Sequence, residues 1–168
     1  LVTMNWWNDL WLNESFASWM GDKAVDAIHP EWDMWTQFLT ADTASAFSLD
    51  GLSNSHPIEQ EVNNPAEIGQ LFDAISYSKG GSILRMLEDF IGPLDFQKGI
   101  RTYLTDHSYE NAETQDLWNA LEVSSGKPVA KVMDSWVKQT GFPMITFDTN
   151  DNSSNINLSQ TRFLYEHI

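Results

Sequence analysis

The sequence predicts a mainly α chain that closes in a β-hairpin. Apolar residues recur at helical spacing through most of residues 1–141, and Pro or Gly punctuates the runs. Beyond Pro143 the period shortens to alternation on either side of an Asn/Ser-rich turn. A chain of 168 residues can bury a sizeable core, and an apolar fraction of 42% with eight tryptophans fits a packed globule, not a disordered segment.

The first helix places Leu12, Phe16, Trp19 and Met20 on one face, with Glu14 near the edge of that face. A second opens after Pro30 and runs through Trp32, Trp35, Phe38 and Leu39. From Ser48 to Pro65 the stretch SLDGLSNSHPIEQEVNNP is polar and punctuated, which predicts a long loop of the kind that often carries function. In the next helix Ile83, Leu84, Leu87, Phe90 and Ile91 repeat at helical spacing. Gly80 and Gly81 near its start allow another backbone or a ligand to come close.

Pro93 opens a helix with Phe96, Ile100, Tyr103 and Leu104 facing inward. Glu113 to Val123 forms a short helix ended by SSGKP, and Val129, Val132, Met133, Trp136 and Val137 mark the last, stopped by Gly141 and Pro143. MITFDTNDNSSNINLSQTRFLYEHI then reads as two strands joined by a turn from Thr149 to Asn155. The change of period predicts a domain boundary near residue 142. Residues 1–141 are the helical part, and residues 142–168 begin a β domain that is too short to stand as a sheet alone.

Charge narrows the partners. Twenty-four acidic residues against nine Lys and Arg give a formal charge of -15, which repels polyphosphate and anionic membrane surfaces. Neither nucleic acid nor a membrane is expected as a partner. The absence of cysteine excludes disulfides, thiolate metal sites and a cysteine nucleophile, and points to a reducing compartment, read here as the cytoplasm. No apolar run reaches the ~18 residues that span a bilayer. The opening Leu1-Val2-Thr3, with no initiator methionine or leader pattern, reads as an excerpt from something longer. Sequons at Asn13, Asn152 and Asn157 carry little weight, since such triplets arise often by chance.

The stretch NWWNDLWLNESFASWM, Asn5 to Met20, poses the chemical question. Ionised carboxylates are rarely buried unless they pair with a charge or bind a metal. By spacing alone Glu14 is either a helix-edge carboxylate or a ligand, and Tyr77 either a core tyrosine or a functional one. His29, His56, His107 and His167 are scattered without H-x-x-x-H spacing, so none is a ligand candidate. His29 and His56 each precede a proline and read as loop residues. Tryptophan faces could stack on sugars, but no carboxylate pair stands out as facing one cleft for glycoside hydrolysis.

Longer motifs decide between these readings. Trp11-Leu12-Asn13-Glu14-Ser15-Phe16-Ala17, followed by Ser76-Tyr77-Ser78-Lys79-Gly80 and later by SGKPV and WVKQTGFP, closely resembles zinc metallo-aminopeptidases of the aminopeptidase N type (gluzincins). The resemblance covers nearly the whole chain. It implies the C-terminal part of a thermolysin-like catalytic domain, followed by the first hairpin of a β-sandwich domain. It also implies one catalytic Zn2+ with Glu14 as metal ligand and Tyr77 as the catalytic hydrogen-bond donor to the oxyanion.

The family's two histidine ligands and general base belong to an H-E-x-x-H helix absent from these residues and expected upstream of Leu1. Hydrolysis of the N-terminal peptide bond of peptides with a free N-terminus is therefore the implied activity. The rest of its own chain would be needed to complete the site, and the isolated residues are expected to be inactive. Asn13 and Asp9 are candidates to orient the ligands. Lys79 reads as a surface or salt-bridge residue. The alternative is a non-catalytic helical protein-binding module derived from the family, and an epoxide-hydrolysing branch shares the same zinc site.

Overall fold

Trp11, Leu12 and Trp19 are almost fully buried on one side of α1 (Leu10–Ile28), while Met20 and Ile28 on its other flanks are exposed. The helix thus docks by its first half and projects by its second. It ends at His29, where the following proline disfavours helical backbone. The computed structural model describes residues 1–149 and 156–167. The sequon Asn152 and most of the expected hairpin turn lie outside the described residues; Asn157 stands exposed in a strand.

After a short 3-10 turn at Pro30–Trp32, α2 (Met34–Phe38) and α3 (Ala44–Asp50) are joined by a π-turn at Leu39–Thr43. The second predicted helix is thus broken into pieces, and helix continues to Asp50, beyond the expected loop start at Ser48. Residues 51–64 form the long loop without regular structure. A second π-turn, Ile75–Lys79, runs directly into α4 (Gly80–Ile91).

α4, α5 (Pro93–Asp106), α6 (Thr114–Ser125) and α7 (Val129–Val137) follow in the predicted order. Their inward residues build the core: Leu84, Leu87, Leu117, Leu121, Val129, Met133 and Val137 have no exposed surface. Gly99 makes the close approach of α5 to α6 possible, since a Cβ there would lie 3.1 Å from the Leu121 Cα. Phe90, part of the helical repeat, is exposed; the Lys127 ammonium lies 4.7 Å over its ring. Trp11, Trp19 and Trp118 are deeply buried and Trp35 and Trp136 pack against the same core, so most of the eight tryptophans belong to it, while Trp6, Trp7 and Trp32 are exposed.

Two small sheets complete the chain. β1 (Thr3–Met4) pairs in parallel with β2 (Asn111–Ala112), a bridge too short to leave a sequence signal. β3 (Pro143–Thr149) pairs antiparallel with β4 (Ile156–Arg162), Phe147 opposite Leu158 and Pro143 opposite Arg162. The base of this hairpin is held to α3: Phe142 stacks between Phe47 and Phe163 at centroid distances of 4.4 and 5.0 Å, and Tyr165 N donates to Gly51 O at 3.0 Å. The chain is mostly helical with one antiparallel hairpin near its C-terminal end, as the hydrophobic periods predict.

Candidate functional site around Glu14 and Tyr77

Glu14 is half-buried on α1, next to fully buried Ser15. Ser15 directs its hydroxyl back to the Trp11 carbonyl and presents a small surface to Gly80. A Cβ at position 80 would sit 2.7 Å from the Ser15 Cβ and 3.3 Å from Trp11 Cε3, so only glycine lets the two backbones come this close. The contact seats the π-turn directly on α1, beside Glu14. The expectation that Gly80 admits another backbone holds, and that backbone is α1.

Within the turn the Lys79 N–H donates to the Ala74 carbonyl five residues back at 2.9 Å. Such π-bulges recur at functional sites because they re-aim a side chain. Here the side chain is Tyr77, half-exposed and brought against Glu14. Its phenol is pushed above the ordinary tyrosine value, first by hydrogen bonding to the Glu14 carboxylate, then by burial and the carboxylate's charge. Tyr77 therefore keeps its proton as a hydrogen-bond donor throughout the neutral range.

Asp73 fixes the entry to the turn. One of its oxygens accepts from the Ile75 and Ser76 N–H groups at 2.9 and 3.2 Å, and the other lies 2.8 Å from His56 Nε2. The second ring nitrogen of His56 lies 2.7 Å from the Pro57 carbonyl. Both nitrogens thus face acceptors, which favours the doubly protonated ring. The hydrogen bond to Asp73 raises the His56 pKa against the opposing effect of burial. For Asp73, burial acts upward but is outweighed by the hydrogen bonds from His56, Ser76 and Ile75, and its pKa falls. His56 is a loop residue as expected, yet it clasps that loop to the Tyr77 turn. An Asp at the mouth of the turn was a legible capping signal; its histidine partner, 17 residues earlier, was not.

Of the two readings left open for Lys79, the salt bridge is the one the structure holds. Lys79 is not a surface residue: its ammonium is buried 2.7 Å from buried Asp50, so its salt bridge is an interior one. Asp9 stands at the N-terminal boundary of α1. It is buried and turns toward α6, where it accepts from the Thr114 N–H at 3.1 Å and from the Thr114 hydroxyl, placing a negative charge at that helix N-terminus. Asn13 is half-buried and makes no side-chain hydrogen bond among the described residues. On the flank of α1 beyond Glu14, burial and then the charge of Asp42 raise the Asp22 carboxyl, and Asp42 in turn accepts from the Ser78 hydroxyl at 3.0 Å.

No three His, Cys, Asp or Glu side chains come together as a metal site among the described residues. Glu14 has no Lys, Arg or His ion-pair partner among them either. One half-buried carboxylate without a cation fits one corner of a metal site, not a whole one.

A family model described as the peptidase family M1 domain matches residues 1–136, and the chain belongs to that family. It is 52% identical over 163 residues to the tricorn protease-interacting factor F2 of Thermoplasma volcanium, covering 97% of this chain and 21% of that protein. It is 52% identical over 164 residues to aminopeptidase M1 of Arabidopsis thaliana, covering 98% and 18% respectively. A probable aminopeptidase 2 of Sulfurisphaera tokodaii is 50% identical over 163 residues, with 97% and 21% covered. The chain spans about a fifth of the length of these curated relatives.

Proposed function

We propose that these residues are part of a zinc-dependent aminopeptidase that hydrolyses the N-terminal peptide bond of peptides. The observation that carries this reading is Glu14, half-buried inside the motif Trp11 to Ala17 and without a Lys, Arg or His ion-pair partner among the described residues. Relatives named as aminopeptidases support it. In this reading Glu14 holds the metal together with two histidines supplied from a segment preceding residue 1. Zinc, when bound, supplies Lewis acidity toward the scissile carbonyl and toward a water molecule.

The chain's own residues then have distinct tasks. The Glu14 carboxylate neutralises part of the metal charge from the face of α1. The Tyr77 phenol, a proton-bearing donor, hydrogen-bonds the oxygen on which negative charge develops, and the π-turn aims it there. Ser15 and Gly80 set the spacing between the two groups. Residues 1–141 belong, in this proposal, to the catalytic domain, and residues 142–168 open a following β domain. The exposed Ile145, Phe147 and Leu158 of the hairpin suit strands that pack against more of that domain. The cytoplasm remains the proposed compartment; no helix among the described residues is long and apolar enough to cross a membrane.

The test compares the natural-length protein with its Glu14→Ala variant, reading aminoacyl-arylamide hydrolysis and bound zinc in each. Loss of both is the expected result. Unchanged zinc and activity would make Glu14 an ordinary helix carboxylate. An inactive, metal-free wild type would favour the protein-binding module. Residues 1–168 alone are expected to hold no stoichiometric zinc and to show no activity.

A further inference from the structure

Lys79 lies two residues after Tyr77 on the same π-turn, and its side chain runs into the interior. Its ammonium meets the Asp50 carboxylate at 2.7 Å, with side-chain exposures of 7% and 2%. It also donates to the carbonyls of Gly141 at 3.1 Å and Gln139 at 3.4 Å. The second oxygen of Asp50 accepts from the Gly141 N–H at 2.7 Å and from the Ser55 hydroxyl at 2.9 Å. One buried ion pair therefore ties the Tyr77 turn to the end of α3, the long loop, and the junction between α7 and the hairpin.

That junction is sharply shaped. Gly141 has φ +84°, a backbone that side chains rarely adopt, and the Arg162 side chain of β4 lies across it. Arg162 also donates to the Leu52 carbonyl at 3.2 Å. A shift of the hairpin base would reach Gly141 first, and from there the charges that hold Lys79. Burying two charges is costly, and a pair kept at such cost in so irregular a place calls for a role beyond stability.

We propose that the Lys79–Asp50 pair is a positioning device for Tyr77, coupling the placement of the Gln139–Gly141 junction, and with it the following β segment, to the aim of the phenol. This rests on the role proposed above for Tyr77. Lys79 touches no reacting atom; it acts through the turn.

The experiment uses the natural-length protein with 3-fluorotyrosine at position 77. The Lys79→Met/Asp50→Leu double variant removes both charges while keeping bulk, which avoids stranding one buried charge. Lys79→Arg, which keeps the charge but changes its reach, is the second variant should the first fail to fold. The fluorine resonance is expected to shift or broaden in either, with zinc content and KM retained and kcat for an aminoacyl-arylamide lowered on the order of 10- to 100-fold. Tyr77→Phe should cost much less in the altered background than in the wild type, because the phenol is already misplaced.

An unmoved resonance, or an equal loss from Tyr77→Phe in both backgrounds, overturns the proposal. A moved resonance with a silent Tyr77→Phe in the wild type upholds the coupling and instead sinks the oxyanion role of Tyr77.

Discussion

The layer formed by α5, α6 and α7 and the quarter formed by α1 with the two π-turns are built on opposite rules. In the first, regular helices bury Phe96, Leu117, Leu121, Val129 and Met133. Its few polar groups are subdued: burial, then the charges of Asp116 and Asp9, push the Tyr103 phenol up to about 12. In the second, helices are interrupted, Ser15, Ser76, Ser78, Lys79 and Asp50 are buried, and a glycine replaces side-chain packing at the closest contact. The first region stores stability, and the second spends it to fix the direction of a few polar side chains. Irregular backbone persists only where its surroundings over-determine it, and here clasps at Asp73 and Asp50 do so.

The largest stability effect should come from the regular layer. Leu117 of α6 is fully buried in the core. Leu117→Ala removes packed methyl groups and leaves a cavity, which costs about 2–5 kcal/mol. A lowered urea midpoint with unchanged kcat per folded, zinc-loaded molecule would sharpen the contrast between the regions. A large kcat loss at full occupancy of the fold would break it, since the layer would then be tuning the site as well as supporting it.

A smaller loss with a larger functional consequence is expected at Gly80. The methyl of Gly80→Ala would meet Ser15 on α1, whose Cβ lies 2.7 Å from the position the new carbon would take. Overpacking of this kind costs about 1–3 kcal/mol. The π-turn must then lift off α1, carrying Tyr77 away from Glu14. Hydrolysis by the natural-length protein should fall further than the stability loss explains, and Ser15→Gly, which reopens the space, should restore part of it. Failure of that rescue would mean that the glycine serves the turn's own conformation and not its contact with α1.

The same division governs what the sequence alone reveals. Ile83, Leu84, Leu87 and Ile91 announce α4 because burial on one face imposes a 3.6-residue period, and α5 to α7 and the closing hairpin are legible likewise. Glu14 and Tyr77 stand out through motifs, not through periodicity. The π-turns leave no pattern, because one extra residue in a helix looks like an ordinary phase slip. The Lys79–Asp50 and His56–Asp73 pairs were invisible, as each depends on chain distant in sequence folding back. For Lys79 the sequence left surface and salt bridge open, because lysines are almost always exposed and the exception holds only where a carboxylate waits inside.

The smallest effect is the one with the clearest pH signature. His56 and Asp73 are each about a quarter exposed, so their pairing is worth no more than about 1 kcal/mol. His56 has a raised pKa in the fold, so its contribution is fully present below its unfolded value of about 6.5 and is lost as pH rises through the folded value. Asp73 has a lowered pKa, so its contribution is present above the ordinary carboxylate value near 4 and is lost as pH falls through the folded one. The two overlap most fully between about pH 4 and 6.5. The charge of Lys79 opposes protonation of the same imidazole, which keeps the upper edge of the window modest. His56→Gln retains a hydrogen-bonding side chain but cannot become charged. The stability difference between wild type and variant should therefore peak near pH 5 to 6 and shrink on either side, measured by denaturation across pH. A difference that instead grew from pH 6 to 8 would show that the clasp works through the neutral ring, and that the loop is held to the Tyr77 turn by shape and not by charge.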